Sequence, residues 1–165
     1  MVVKNNEKVG LNPAFTMIEL VWVIVILGIL AAVAIPRLGA TRDDAVLVKG
    51  KSQVASIRSG IAMQKSRNLL RGNRQTNSYY PDNLDVAVAT TNNANLFYIA
   101  PGNPENILEN PILAVDTLAS GRWIKDNNTT YRLQLTPGNV ATFTYTNTNG
   151  TFICTNSTDC TTLTQ

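Results

Sequence analysis

Histidine is absent from this chain of 165 residues. Its absence removes the commonest general base and the commonest metal ligand together. No nucleophile motif takes its place, and the carboxylates cluster only at Asp43 and Asp44. The sequence therefore predicts no catalytic, cofactor-binding or metal-binding residues, and it does not indicate an enzyme.

Charge is also scarce. Charged residues make up 15% of the chain, below the quarter or so that is usual for a soluble domain. The net charge of +3 is weak and does not indicate a nucleic-acid partner, which usually requires a clustered basic face. Asn and Thr crowd the second half instead, which is typical of the neutral, hydrogen-bonding surface of an extracellular protein.

Cysteine occurs only twice, at Cys154 and Cys160. This spacing fits neither a CxxC redox pair nor a four-ligand zinc site. In an exported domain the pair predicts a disulfide, and two unpaired thiols are the alternative. Closing so short a loop would stabilise the fold by roughly 2–2.5 kcal/mol in the chain-entropy treatment.

Residues 20–35 form an uncharged run, LVWVIVILGILAAVAI, with Glu19 at its amino-terminal edge and Pro36 directly after it. Together with the preceding residues it is long enough to cross about 30 Å of hydrocarbon. A carboxylate is costly where an apolar run enters a bilayer. Nothing inside the run can pair with Glu19, so we expect its partner on another molecule and interpret the chain as an assembly subunit.

The segment before this run is short and polar, with Lys4 and Lys8, and it ends at the small residue Ala14 beside Phe15. A secretory signal has its small-residue cleavage site after the apolar region. Here no convincing site follows the run. Cleavage between Ala14 and Phe15 would keep the apolar segment and create a new amino terminus close to Glu19.

The segment AFTMIELV at residues 14–21, the apolar run and the Ile35-Pro36 pair closely resemble the class III signal of type IV prepilins and type II secretion pseudopilins. The resemblance implies that a prepilin peptidase removes residues 1–14 and methylates the Phe15 amine, and that Glu19 supports assembly. Ala14 departs from the usual Gly before the cut. Met17 replaces a common Leu with little change of volume.

The same resemblance implies the partners and the location. The partners would be the prepilin peptidase and methyltransferase, other pilin or pseudopilin subunits, and an inner-membrane assembly platform protein. The subunit would wait in a bacterial inner membrane with its carboxyl-terminal domain in the periplasm, and would then join a surface pilus or a periplasmic pseudopilus. Counting cations favours the opposite orientation, because four of them follow the span closely: Arg37, Arg42, Lys49 and Lys51.

Residues 15–71 read as one helix that is broken mainly at Pro36. Residues 15–36 are apolar on all sides, as a membrane span or a filament core requires. Residues 37–72 are amphipathic, and Gly72 is the predicted stop. Gly28 and Pro36 match positions of the type IV pilin motif, so we hypothesise that residues 28–36 lose helical structure on assembly; a merely kinked helix is the alternative. The predicted core stripe is Leu47, Val54, Ile57 and Ile61.

Residues 73–165 form the predicted globular domain. The sequence predicts a loop-rich connection with a short strand or core anchor at residues 96–99. Residues 107–117 predict a short helix or an irregular packed segment. From Gly121 onwards, alternation and turn residues predict an antiparallel sheet of three or four strands. The fold class is therefore α+β: a long amino-terminal helix, apolar and then amphipathic, packed on a small antiparallel sheet, as in type IV pilins.

Three weaker signals remain open. Asn-x-Ser/Thr triplets begin at Asn128, Asn149 and Asn156, and chance explains them as well as glycosylation does in an Asn/Thr-rich surface. Three acids lack the spacing of a calcium loop: Asp116, Asp126 and Asp159. Tyr79 and Tyr80 suit core anchors better than contacts with DNA.

The leading functional prediction is a structural subunit of a type IV pilus or pseudopilus filament, polymerised through its amino-terminal helix. The alternatives are a type II secretion or DNA-uptake pseudopilin and, from another class, a membrane-anchored periplasmic binding protein or enzyme. The sequence does not separate the pilus, secretion and competence systems.

Overall fold

The computed structural model describes residues 15–75, 78–155 and 160–164. The predicted leader, residues 1–14 with Ala14, lies outside them. The chain divides into two compact units, Met1–Ala40 and Thr41–Gln165. Helix α1, Met17–Arg71, belongs to both units, and the described residues then form six strands and a short helix α2, Cys160–Thr164. The class is α+β, as the sequence predicts.

The part of α1 in the second unit buries one stripe of apolar side chains. Val54, Ile57 and Ile61 are all but inaccessible to solvent, and Leu47 is half-buried against the same core. Spacings of seven, three and four residues place these side chains on one face of a helix. The predicted core stripe is therefore confirmed.

Helix α1 ends at a glycine for a conformational reason. Gly72 adopts φ +66°, a left-handed conformation that costs a residue without Cβ little. The Asn73 N–H donates to the Asn68 carbonyl at 2.9 Å, and the Gly72 N–H donates to the Leu69 carbonyl at 3.2 Å. This is the paired hydrogen bonding of a Schellman cap, and it confirms Gly72 as the predicted stop.

A four-stranded antiparallel sheet forms the carboxyl-terminal part, with its strands in sequence order. Alternating apolar residues and the predicted turns at residues 137–139 and 147–150 produce this meander, because period-two patterning gives a sheet one packed face. The strands are β3, Arg122–Lys125; β4, Thr130–Thr136; β5, Asn139–Thr146; and β6, Thr151–Cys154.

The connection between α1 and the sheet differs from the sequence prediction. Strand β1 is only Asn95–Leu96, paired with β2, Ile112–Leu113. It stops because Phe97 turns to φ 58°, although Leu96 and Phe97 are fully buried core anchors as predicted. The prediction of a short helix over residues 107–117 is wrong. The alternative is confirmed, because the segment is irregular and packed and contains β2.

Aromatic rings fill the space between the sheet and α1. Phe97 lies 4.7 Å from Tyr131 between ring centroids, and Phe143 stacks on Phe152 at 5.1 Å. Trp123 completes this cluster with an edge contact to Phe97. Such pairs add roughly 0.5–1.5 kcal/mol each beyond the burial of their surface. The core of the second unit therefore depends on residues from both the connection and the sheet.

The carboxyl end is fastened by the predicted disulfide. Cys154, the last residue of β6, is joined to Cys160, the first residue of α2, with their Cα atoms 5.4 Å apart. Helix α2 in turn buries Leu163 close to Gly50 on α1. Residues 156–159 between the cysteines, including Asn156 and Asp159, lie outside the described residues.

We expect Gly60→Ala to destabilise the second unit, although alanine is the better helix former by about 1 kcal/mol. A Cβ atom at Gly60 would overlap the Ile107 carbonyl oxygen. Overpacking against backbone costs typically 1–3 kcal/mol. Thermal unfolding of the detergent-solubilised chain, followed by near-ultraviolet circular dichroism, measures the change. The exposed neighbour Ser59→Ala is the control. Equal or higher stability of Gly60→Ala would contradict the packing.

Candidate assembly site

The start of α1 is capped by a side chain that the sequence prediction did not use. The Glu19 backbone N–H donates to the Thr16 hydroxyl at 3.3 Å, immediately before the first helical residue, Met17. Thr16 is therefore the N-cap, and Glu19 occupies the third helical position, the spacing of a capping box. The T-x-x-E pattern ahead of an apolar run is the sequence signal from which this cap could have been predicted.

The Glu19 side chain itself is exposed. An acid in the first turn interacts favourably with the amino-terminal end of the helix dipole, typically by 0.3–1 kcal/mol. Among the described residues, no cation forms an ion pair with it. Phe15 lies just ahead of the helix and is 83% exposed. The candidate pair of groups, the Phe15 amine after cleavage and the Glu19 carboxylate, thus stands at one end of the helix, open to contact.

Among the described residues, one helical segment is long and apolar enough to cross a membrane, Met17–Ile35. None of it is buried inside the first unit. Aliphatic and aromatic side chains stand exposed along its whole length, from Met17 through Trp22 to Ile35. An exposed apolar surface of this extent is typical of a segment that contacts lipid or other protein.

Gly28 and Pro36 do not interrupt the helix. A Cβ atom at Gly28 would meet nothing within 4 Å, so no packing among the residues that the structure describes requires a glycine there. The backbone is helical at Pro36 as well, whereas the sequence predicts a break. Proline removes one helical hydrogen bond, but the helix continues on both sides of it. The hypothesis that residues 28–36 melt on assembly stays a prediction.

A second constellation, which sequence reasoning missed, lies in the core of the second unit. Asp85 and Lys125 form an ion pair of 2.6 Å with side chains 0% and 2% exposed. Lys125 Nζ also donates to the Ala87 carbonyl at 2.7 Å, and the Tyr131 hydroxyl donates to Asp85 at 3.0 Å. No spacing in the sequence relates these residues, because the fold brings the connection against β3 and β4.

This Asp85 network holds the connection in shape. The Ala87 N–H donates to Asp85 at 3.1 Å, and the Phe97 N–H donates to it at 3.0 Å. Each carboxylate oxygen thus accepts two hydrogen bonds, which is what a buried charge needs in order to be tolerated. The second of these bonds fixes Phe97 in its left-handed conformation. The network therefore has the features of a structural clamp and no exposed reactive group.

We expect the second unit to lose stability at alkaline pH. Burial, and secondarily Asp85, raise the pKa of Tyr131 far above its ordinary value. In the unfolded chain the Tyr131 hydroxyl loses its proton near pH 10, whereas in the folded chain it keeps it. The contribution of Tyr131 to the free energy of unfolding is therefore fully present below pH 10 and declines above it by about 1.4 kcal/mol per pH unit. Denaturation midpoints at rising pH measure the slope. Tyr131→Phe should reduce this slope by about 1.4 kcal/mol per pH unit, the contribution of one proton. An unchanged slope would contradict the assignment of the pH dependence to Tyr131.

The structure shows the surroundings of several residues behind the weaker sequence signals. Asp126 forms a bidentate ion pair with Arg132 at 2.6 Å, and Asp116 is exposed. The described residues contain no group of three potential metal ligands from His, Cys, Asp and Glu. Asn128 is exposed on the turn after β3, and Tyr80 packs against the core and accepts a hydrogen bond from Lys65 at 3.0 Å.

Comparisons of this chain with protein-family models, with curated protein sequences and with solved structures give no match.

Proposed function

We propose that the chain is a structural subunit of a type IV pilus or pseudopilus filament, processed by a prepilin peptidase and polymerised through its amino-terminal helix. The observation that carries this proposal is the segment Met17–Ile35, which is apolar, exposed along its length and headed by an acid. A simple membrane anchor needs the apolar surface but not the acid, which is costly there. A filament subunit has a use for both.

The proposed assembly contact joins two subunits. Cleavage before Phe15 would leave an α-amine, with an ordinary pKa of about 7.7–8.0, that remains able to carry charge after methylation. Glu19 of an incoming subunit would face this amine on the subunit already in place. Charges 4 Å apart attract by about 4 kcal/mol at an effective dielectric near 20, before desolvation is subtracted. The pair would thus set the register, and the apolar helices would supply most of the cohesion.

The proposed partners follow from this role. They are the prepilin peptidase and methyltransferase, further pilin or pseudopilin subunits, and an inner-membrane assembly platform protein. Before assembly the subunit would span a bacterial inner membrane once, with the disulfide-bonded unit in the periplasm, an oxidising compartment in which such bonds persist. After assembly it would lie in a surface pilus or a periplasmic pseudopilus.

Processing gives a direct test. We expect purified filaments, or the membrane fraction, to contain a chain that begins at Phe15 and carries one methyl group on its amino terminus. Intact mass and amino-terminal peptide mass spectrometry measure both features. Replacing Ala14 by a bulky residue should leave residues 1–14 attached. A mature chain that retains these residues, or that begins after the apolar segment, would contradict the proposal.

Filaments themselves are the second test. Electron microscopy of the native cell and of a strain lacking this chain should differ by a filament on the surface or, after overproduction, by a pseudopilus. Secretion of proteins, twitching motility and DNA uptake are then compared in the two strains to assign the system. Unchanged filaments in the deletion strain would contradict a structural role as a main subunit.

A further inference from the structure

The buried pair of Lys125 and Asp85 brings an amine and a carboxylate together out of reach of water. Lys125 Nζ lies 2.6 Å from Asp85 Oδ1, and the Lys125 and Asp85 side chains are 2% and 0% exposed. Because a carbon–oxygen bond spans about 1.2 Å, the Asp85 carboxyl carbon lies no more than about 3.8 Å from that nitrogen. Well-oriented reacting groups reach effective concentrations of about 10⁵–10⁸ M. The two side chains are therefore placed for condensation to an amide.

The two oxygens of the Asp85 carboxylate have different surroundings. Oδ2 accepts hydrogen bonds from the Phe97 N–H and the Tyr131 hydroxyl, both at 3.0 Å. Oδ1 faces Lys125 Nζ and accepts a hydrogen bond from the Ala87 N–H at 3.1 Å. Two fixed donors on one oxygen are the arrangement of an oxyanion hole, which stabilises negative charge as it develops there. Oδ2 is thus placed to carry that charge, and Oδ1, beside the amine, is placed to leave.

The amine is held from a second side. Lys125 Nζ donates to the Ala87 carbonyl at 2.7 Å as well as to Asp85. An ammonium group has three N–H donors and no acceptor, so it reacts only after it has given up a proton. The short contact with Asp85 Oδ1 provides the route for that proton, and burial favours uncharged groups over charged ones. The Ala87 carbonyl still holds one N–H while the nitrogen turns its lone pair to the carboxyl carbon.

We propose that Lys125 and Asp85 become joined by an isopeptide bond in the folded chain. One proton passes from Nζ to Oδ1, and Nζ then attacks the carboxyl carbon to form the carbon–nitrogen bond, with the negative charge on Oδ2. A second proton passes from Nζ to Oδ1, the bond between carbon and Oδ1 breaks, and Oδ1 leaves as water. The nitrogen keeps its third proton. The step needs no oxidant, reductant or further reactant, and the ion pair is the state that precedes the link.

The surroundings also accommodate the products. The new amide keeps its N–H on the Ala87 carbonyl and its oxygen on the two donors of Oδ2. A cavity of about 300 Å³ has Asp85 and Val86 in its wall, whereas one water needs only about 10–15 Å³, so the released water has a place to go. The link would fasten the connection covalently to β3. Nothing in the proposed filament role depends on it.

The mass of the chain tests the link directly. The full chain is produced in a host without a prepilin peptidase, purified in detergent, then denatured and reduced for mass spectrometry. We expect a species lighter than the sequence mass by one water molecule, in a fraction that rises with time after folding. Trypsin does not cut after a lysine whose amine is acylated, so residues 75–122 and 123–132 should form one joined peptide. A chain of full mass that releases residues 123–125 as a free peptide would overturn the proposal.

Variants locate the link. Lys125→Arg keeps a cation beside Asp85 but no nucleophilic amine, so the full mass should return; a loss of water that persists would place the dehydration elsewhere and overturn the proposal. Tyr131→Phe removes one donor to Oδ2 and should slow linking by about 10²–10³-fold, the usual effect of one oxyanion donor. An unchanged rate would overturn the role given to Oδ2.

A matched control and an independent readout complete the test. Asp116 is an exposed acid, and Asp116→Asn should link at the rate of the unaltered chain. Loss of the link in Asp116→Asn would contradict its assignment to the buried pair. Because cleavage before Phe15 and filament formation are measured separately, an unlinked chain would leave the proposed filament role untouched.

Discussion

Asp85→Ala should destabilise the second unit by about 3–5 kcal/mol, the cost of leaving a buried charge without its partner. Lys125 would keep only the Ala87 carbonyl as an acceptor. The Phe97 and Ala87 N–H groups and the Tyr131 hydroxyl would lose the carboxylate they share. Since whole domains are stable by only about 5–15 kcal/mol, we expect a large fall in the unfolding temperature and rapid proteolysis of the connection.

Three variants separate the mechanism from simple loss of volume. Asp85→Leu combined with Lys125→Met leaves no buried charge unpaired and should recover part of the stability. The recovery should be incomplete, because the two N–H groups and the hydroxyl that donate to Asp85 would still lack an acceptor. Lys125→Met alone should remain destabilised. Asp126→Ala removes the acid of the partly exposed pair with Arg132 and should cost about 1 kcal/mol or less. If Asp85→Ala behaved like Asp126→Ala, the clamp would have no energetic role.

The sheet and the carboxyl-terminal end of α1 could be predicted because their signals are local. Alternation in β4 and β5, the turns at Gly138 and Gly150, and the left-handed glycine after Arg71 each depend on a few adjacent residues. The disulfide was predictable too, since a chain with two cysteines has one possible pairing.

The connection was much harder to predict, because its conformation depends on distant residues. Phe97 is held in a left-handed conformation by a carboxylate twelve residues earlier. The segment at Ile107 is irregular because it packs directly on Gly60. Neither contact produces a periodic pattern in the sequence. For the same reason the Asp85–Lys125 clamp forms only when the folded chain brings the connection against the sheet.

Glu19→Ala should abolish filaments while leaving cleavage before Phe15 intact. The proposed contact with the neighbouring amine would be lost at every subunit. Each loss of about 1.4 kcal/mol lowers the equilibrium constant for subunit addition tenfold. Electron microscopy of sheared surface fractions measures the filaments, and the mass of the membrane-bound chain reports whether residues 1–14 have been removed. Normal filaments from Glu19→Ala would contradict the assembly role.

The capping of α1 makes a sharper comparison possible. Thr16 and Glu19 share a capping geometry, so Glu19→Ala alone does not distinguish loss of charge from a weaker helix start. Glutamine serves the third position of a capping box as glutamate does, whereas it cannot form an ion pair. If the charge is what assembly requires, Glu19→Gln will be as defective as Glu19→Ala, and Thr16→Ala, which keeps the charge and removes the cap, will still assemble. Restored filaments in Glu19→Gln together with loss in Thr16→Ala would instead assign the role of Glu19 to the helix start.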